Sequence, residues 1–132
     1  MLSQSELIEL VEKKNFNVMY EGRLDETLEC SAADCVWNIY PAGIILKGRD
    51  DNIRTAFEDA MTRYPKMWHG NFDWTVDAAV QRVAVVFDVR LTDTDGKETK
   101  LCNAKLFCIE GGKFKRLDLY CSSSKSVIDA PD

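Results

Sequence analysis

Two polar residues, Asn103 and Lys105, alternate with apolar ones on a strand whose face also carries Leu101, Phe107 and Ile109. A buried amide costs free energy unless it is hydrogen-bonded, and a buried ammonium costs far more. If that face turns inward, the pair meets each other, a carboxylate, or an anionic or carbonyl ligand. Slipping the register by one residue would instead bury Cys102, Ala104, Leu106 and Cys108 and put Asn103 and Lys105 in water. Both registers stay open, with the first preferred. His69, the only histidine, is a candidate base, and Tyr40 is a further candidate for polarising a carbonyl. Trp37, Phe57, Trp68, Phe87, Phe107 and Leu119 are candidates to line a pocket around a flat apolar ligand; aromatic residues also serve as plain core.

Other chemistries find little support. One histidine with no cluster of His, Asp or Glu at ligand spacing gives no metal site. The glycines mark turns and form no phosphate-cradling loop, so no cofactor is expected. None of the cysteines is paired with His69 in a nucleophile motif.

The elements that would position these groups can be read from pattern. Ser3 and Glu6 form a capping box before a helix whose buried stripe is Leu7, Leu10, Val11, Val18 and Met19, with a stop at Gly22 near Tyr20. Leu24 to Cys30 reads as a second helix and Cys35 to Ile39 as a strand ending at Tyr40-Pro41. Gly43 and Gly48 bound a loop. Asp50 or Asp51 is placed to cap a third helix with the stripe Ile53, Phe57, Ala60, Met61 and Tyr64, ended by Pro65. From Met67 to Ser122 the chain is a meander of alternating strands, broken at Asp93-Thr-Asp-Gly96 and Glu110-Gly-Gly112. Trp68, Phe72, Trp74 and Val76 are expected on one face of the first strand; Val83, Val85, Phe87, Val89 and Leu91 share a face of the next. Residues 1–122 are expected to form one domain and 123–132 a loose polar tail.

The 132 residues suffice for one core without disulfides. A net charge of -5, with the basic residues dispersed, disfavours nucleic acid as a partner. Five cysteines without a CxxC pair read as reduced core residues. No basic leader and no apolar run of membrane-spanning length is evident, so the expected location is cytoplasmic, away from a membrane.

The strand around Lys105 is apolar on both faces, and the helices can cover one. The economical cover for the other is a second copy of the chain, giving a homodimer through the outer face of the sheet.

In order and spacing, Glu21-Gly-Arg-Leu-Asp25, Ala33-Asp-Cys-Val-Trp37, Pro41-Ala-Gly43 with Gly48-Arg49-Asp50, and Glu110-Gly-Gly-Lys113 resemble the SnoaL-like polyketide cyclase and ketosteroid isomerase-like branch of the nuclear transport factor two-like superfamily. The resemblance implies an α+β fold: a cone-shaped barrel of strongly bent, mixed, mostly antiparallel sheet. About three helices from the N-terminal half would cover its concave face and enclose an apolar pocket. It also implies homodimers through the outer sheet face, and activities ranging from isomerases, cyclases and dehydratases to non-catalytic binding domains.

The functional positions of the resembling enzymes are not filled here as they are there. The isomerase base falls on Ile39 or Tyr40, its tyrosine near Asn15 and its protonated aspartate near Lys105. The dehydratase aspartate falls on Tyr20, although His69 lies where the paired histidine belongs. Asp118 is nearest to the cyclase acid, but inward Leu117 and Leu119 turn it outward, and Asp88 and Arg90 are expected on the same outer face, as interface ion pairs. Three functions stay open: a cofactor-independent isomerase, cyclase or dehydratase of an apolar carbonyl or hydroxyl compound; a non-catalytic binder of a small apolar ligand; and a dimerisation module.

Overall fold

The computed structural model describes residues 1–16 and 23–123. The first helix, α1 (Gln4–Val11), starts at the predicted capping box: Ser3 Oγ accepts from the Glu6 amide at 3.2 Å, and the Ser3 amide donates to Glu6 Oε1 at 2.9 Å. It widens into a π-helical turn, Glu12–Phe16, which carries Asn15 and Phe16 into the interior behind Leu7 and Val11. Val18, Met19, Tyr20 and Gly22, expected to complete this helix, lie outside the described residues.

The second helix, α2 (Leu24–Glu29), leads into β1 (Ser31–Tyr40), which is longer than its sequence signal. The segment expected to be a loop after Gly43 contains a further strand, β2 (Ile44–Lys47), paired antiparallel with β1. Four residues joined by a three-residue turn are too few to show a period. Helical backbone then begins at Gly48, as a π-helical turn (Gly48–Ile53) before α3 (Arg54–Arg63). Asp50 and Asp51 therefore sit inside the first turn and make no capping bond; Asp50 instead pairs with Arg49 at 3.0 Å. Charge of this sign still suits a helix start.

Strands β3 (Lys66–Asp77), β4 (Arg82–Thr92), β5 (Glu98–Glu110) and β6 (Lys113–Tyr120) form the expected antiparallel meander. The last strand returns beside β1, in parallel, so the six-stranded open sheet runs β2-β1-β6-β5-β4-β3. Its inner face, carrying Cys35, Trp37, Ile39, Val83, Val85, Phe87, Val89, Leu91, Phe107, Ile109, Phe114, Leu117 and Leu119, forms one core with Leu7, Val11, Phe16, Leu28, Ile53, Phe57 and Ala60 of the helices. Each large side chain fully buried there contributes on the order of 2–3 kcal/mol. No helix among the described residues is long and apolar enough to cross a membrane.

The face assignment of β3 needs a correction. A bulge between Gly70 and Asp73, with Asn71 at φ 53, adds a residue against β4 and resets the alternation. Met67 and His69 therefore point inward before the bulge, and Phe72, Trp74 and Val76 after it. Trp68, expected with the latter group and in the ligand pocket, lies on the outer face, 40% exposed, with the Arg90 guanidinium 4.8 Å above its ring. The indole also lies over Gly70, where any Cβ would overlap it.

Candidate functional site

Lys105 occupies the middle of β5, held by pairing with Val85 on β4 and Leu119 on β6. The burial pattern settles the register: Asn103, Lys105, Phe107 and Ile109 face the interior, and Cys102, Ala104, Leu106 and Cys108 face outward. The lysine is 6% exposed, and its Nζ donates to Asn15 Oδ1 at 2.8 Å. The same nitrogen lies 4.4 Å from the ring centre of Phe16 and 5.6 Å from that of Phe87. No acidic side chain among the described residues bonds it. Ring faces recover about 2 kcal/mol for a desolvated cation, less than the several kcal/mol lost on burying one. Neutralisation is the remaining way to relieve that cost, and burial pushes the Lys105 ammonium down to about 7, with Cys121 acting weakly the other way.

His69, on β3, is 5% exposed and packs against Phe16 and Phe87 at 5.5 and 5.7 Å between ring centres. Burial, and next the charge of Lys105, push its imidazolium down to about 3, so the ring is neutral at physiological pH. Asn15, fully buried, must present its oxygen to Lys105, because an ammonium only donates. Its Nδ2 has no hydrogen-bond partner among the described residues. The result is an amine, an amide with a spare donor and a neutral imidazole around the Phe16 and Phe87 rings. Such a group can bind a carbonyl or anionic oxygen and exchange protons near neutral pH.

The other candidates divide. Phe87 and Leu119 adjoin Lys105. Asn103 is buried, and its Oδ1 accepts from the Ser122 amide at 3.1 Å, which ties the chain leaving β6 to β5. Trp37 and Phe57 meet edge-on at 4.9 Å between β1 and the helix α3, and Phe107 packs on Phe114 at 5.3 Å. Tyr40 is not brought to Lys105: it lies on the outer face, 39% exposed, stacked on Tyr120 at 5.0 Å. Of Ile39 and Tyr40, on which the isomerase base is expected to fall, Ile39 is the buried one. Asp118 faces outward as expected, yet it is buried, accepting from Asn38 Nδ2 at 2.8 Å and from Arg116. Asp88 accepts from Asn71 and Arg90 covers Trp68, so each has a partner within the chain.

Phe16 and the role of Asn15 were missed in the sequence. The signal for Asn15 was its place four residues beyond Val11 on the buried stripe of α1, where a polar residue needs a partner. Among the described residues no group of three His, Cys, Asp or Glu side chains could hold a metal. Grooves of about 390 Å³ lie elsewhere, one of them lined by Lys66, Trp68, Arg90 and Glu98.

No protein-family model and no curated protein matches the sequence. Solved structures do match the fold. A candidate SnoaL-like polyketide cyclase from Jannaschia is 14% identical, with 100% of this chain and 99% of that one covered at a TM-score of 0.76. A nuclear transport factor two-like protein of unknown function from Burkholderia pseudomallei is 16% identical, covering 92% of each chain at 0.74. A protein of ketosteroid isomerase-like fold from Catenulispora acidiphila, solved in complex with trimethylamine, is 12% identical, covering 92% and 89% at 0.75. The chain has the nuclear transport factor two-like α+β fold of the SnoaL-like polyketide cyclases and ketosteroid isomerase-like proteins. At these identities the likeness concerns the fold, and function must be argued from the site.

Proposed function

We propose that this protein binds a small apolar carbonyl compound on the inner side of its sheet and acts on it as a cofactor-independent isomerase, cyclase or dehydratase. The observation that carries this reading is the buried Lys105 ammonium, bonded to a neutral amide and lacking an acidic partner among the described residues. A fold gains nothing in stability from such a group, so its presence points to a ligand. The structural neighbour solved in complex with trimethylamine supports a small-molecule site in this fold by analogy. Calorimetry with aryl ketones, enones and β-diketones tests it. Binding that weakens at least tenfold in Lys105→Met is expected. Failure of every carbonyl probe to bind at millimolar concentration would overturn it.

A second reading concerns the outer face. Tyr40, Tyr120, Ala104 and Val86 lie side by side across four strands, and Tyr40, Tyr120 and Val86 are exposed. Leu106 and Ala84 continue the apolar surface in the next row, where Asn38 and Asp118 separate them from Ile45. This row favours a homodimer through the outer face. Sedimentation at micromolar concentration tests it: a dimer abolished by Val86→Asp is expected, and a monomeric wild type refutes it.

A further inference from the structure

Other lysines among the described residues follow the ordinary rule for a basic surface residue. Lys13, Lys14 and Lys115 pair with Glu9, Glu26 and Asp34, with their stems partly in water. Lys105 breaks that rule in three ways: it is on the inner face of a central strand, its acceptor is an uncharged amide, and two aromatic rings flank its nitrogen. The ring faces that shield the ammonium would equally cover a planar C=N group. Asn15 adds the second observation. Its Oδ1 holds the amine, while its fully buried Nδ2 is a donor with no partner among the described residues. A donor of this kind, on the amide that positions the amine, is suited to the oxygen of a carbonyl under attack at that amine.

We propose that Lys105 is an imine-forming residue whose Nζ condenses with the carbonyl carbon of an apolar aldehyde or ketone, with Asn15 orienting the amine and donating to the carbonyl oxygen. This rests on the reading of the inner face as a carbonyl-binding site. The lone pair of neutral Nζ forms the N–C bond while the C=O π pair moves to oxygen, which takes the proton the nitrogen gives up. The resulting carbinolamine keeps its hydroxyl near Asn15 Nδ2. Protonation of that hydroxyl by a proton from solvent, followed by return of the nitrogen lone pair, breaks the C–O bond, releases water and leaves the protonated imine. One amine, one carbonyl and one proton thus become one protonated imine and one water, with no oxidant or reductant required. The protonated imine is an electron sink that acidifies the adjacent C–H, which is what isomerisation, cyclisation or dehydration next to a carbonyl requires. Depression of the Lys105 ammonium to about 7 supports the chemistry, because about half the amine is then neutral at pH 7, against roughly one part in three thousand for an ordinary lysine.

The test uses wild-type protein, benzaldehyde or cinnamaldehyde as probe, and sodium cyanoborohydride to reduce any imine to a stable secondary amine. Digestion and peptide mass mapping then rank the ten lysines by labelling rate. Lys105 is expected to label at least roughly tenfold ahead of exposed lysines such as Lys47 and Lys97, and excess benzyl alcohol, which lacks the carbonyl, should slow it by occupancy alone. Asn15→Leu should slow labelling of Lys105 while leaving the exposed lysines unchanged. Labelling that follows exposure, with Lys105 last, overturns the proposal. Probe binding is measured in parallel by calorimetry without reductant. Binding without a Lys105 adduct removes the imine and leaves the carbonyl-binding reading standing, whereas neither binding nor adduct removes both.

Discussion

Lys105 on β5 donates to Asn15 at the end of the first helical segment, at 2.8 Å and across 90 positions of sequence. The resemblance to isomerases implies a tyrosine near Asn15 and a protonated aspartate near Lys105. An amide acceptor and a cation stand in this chain instead.

That replacement sets the first prediction. Lys105→Met should be neutral or stabilising by about 1–4 kcal/mol, because a thioether of similar length fills the space without a buried charge. Asn15→Ala should destabilise by about 1–3 kcal/mol, because it strips the ammonium of its acceptor. Urea unfolding of both variants decides the point; a Lys105→Met variant losing several kcal/mol would mark the lysine as structural.

The stability profile with pH follows from the same burial. The Lys105 ammonium titrates at about 7 in the folded chain against 10.5 when unfolded. Between those values the unfolded chain binds more protons, so stability rises with pH from about 7 to about 10.5, by up to roughly 5 kcal/mol. His69, at about 3 against 6.5, adds a second slope of the same sign, with stability lost as pH falls from 6.5 towards 3. Thermal unfolding across pH should show both slopes in the wild type. Lys105→Met should lose the alkaline one and keep the acidic one.

Trp68 should be irrelevant to ligand binding on the inner face. Trp68→Ala is expected to leave carbonyl-probe affinity within about twofold, a difference under 0.5 kcal/mol. Gly70→Ala should displace the indole from Arg90, shift its fluorescence and cost about 1–3 kcal/mol through overpacking. A Trp68→Ala variant that no longer binds the probe would place the ligand on the outer face.

Asn103 should act on the chain end rather than on chemistry. Asn103→Ala removes the acceptor of the Ser122 amide and should cost about 1 kcal/mol. Hydrogen exchange at Ser122 should speed up, with Lys105 labelling by the aldehyde unchanged. Loss of labelling would instead place Asn103 in the reactive group.

Much of the scaffold is legible in sequence because its signals are local. The Ser3–Glu6 box, the stripe Ile53, Phe57 and Ala60, and the alternation from Val83 to Leu91 each express the period of one element, and the structure buries those residues as the pattern requires. The same alternation put Lys105 and Phe107 on one face, leaving open only which face was inside.

Tertiary structure alone decided what those faces meet. The Gly70–Asp73 bulge is an added residue relative to a partner strand, so nothing within β3 shows that Trp68 turns out while His69 and Phe72 both turn in. The parallel return of β6 beside β1, which stacks Tyr40 on Tyr120 away from Lys105, is likewise a pairing of distant segments. In the sequence Asn15 stood out only as near the expected isomerase tyrosine, and Lys105 as a costly residue on a strand. Only folding brings them to hydrogen-bonding distance, because a side chain's direction follows from its own few neighbours whereas its partner is set by how the whole sheet closes over the helix.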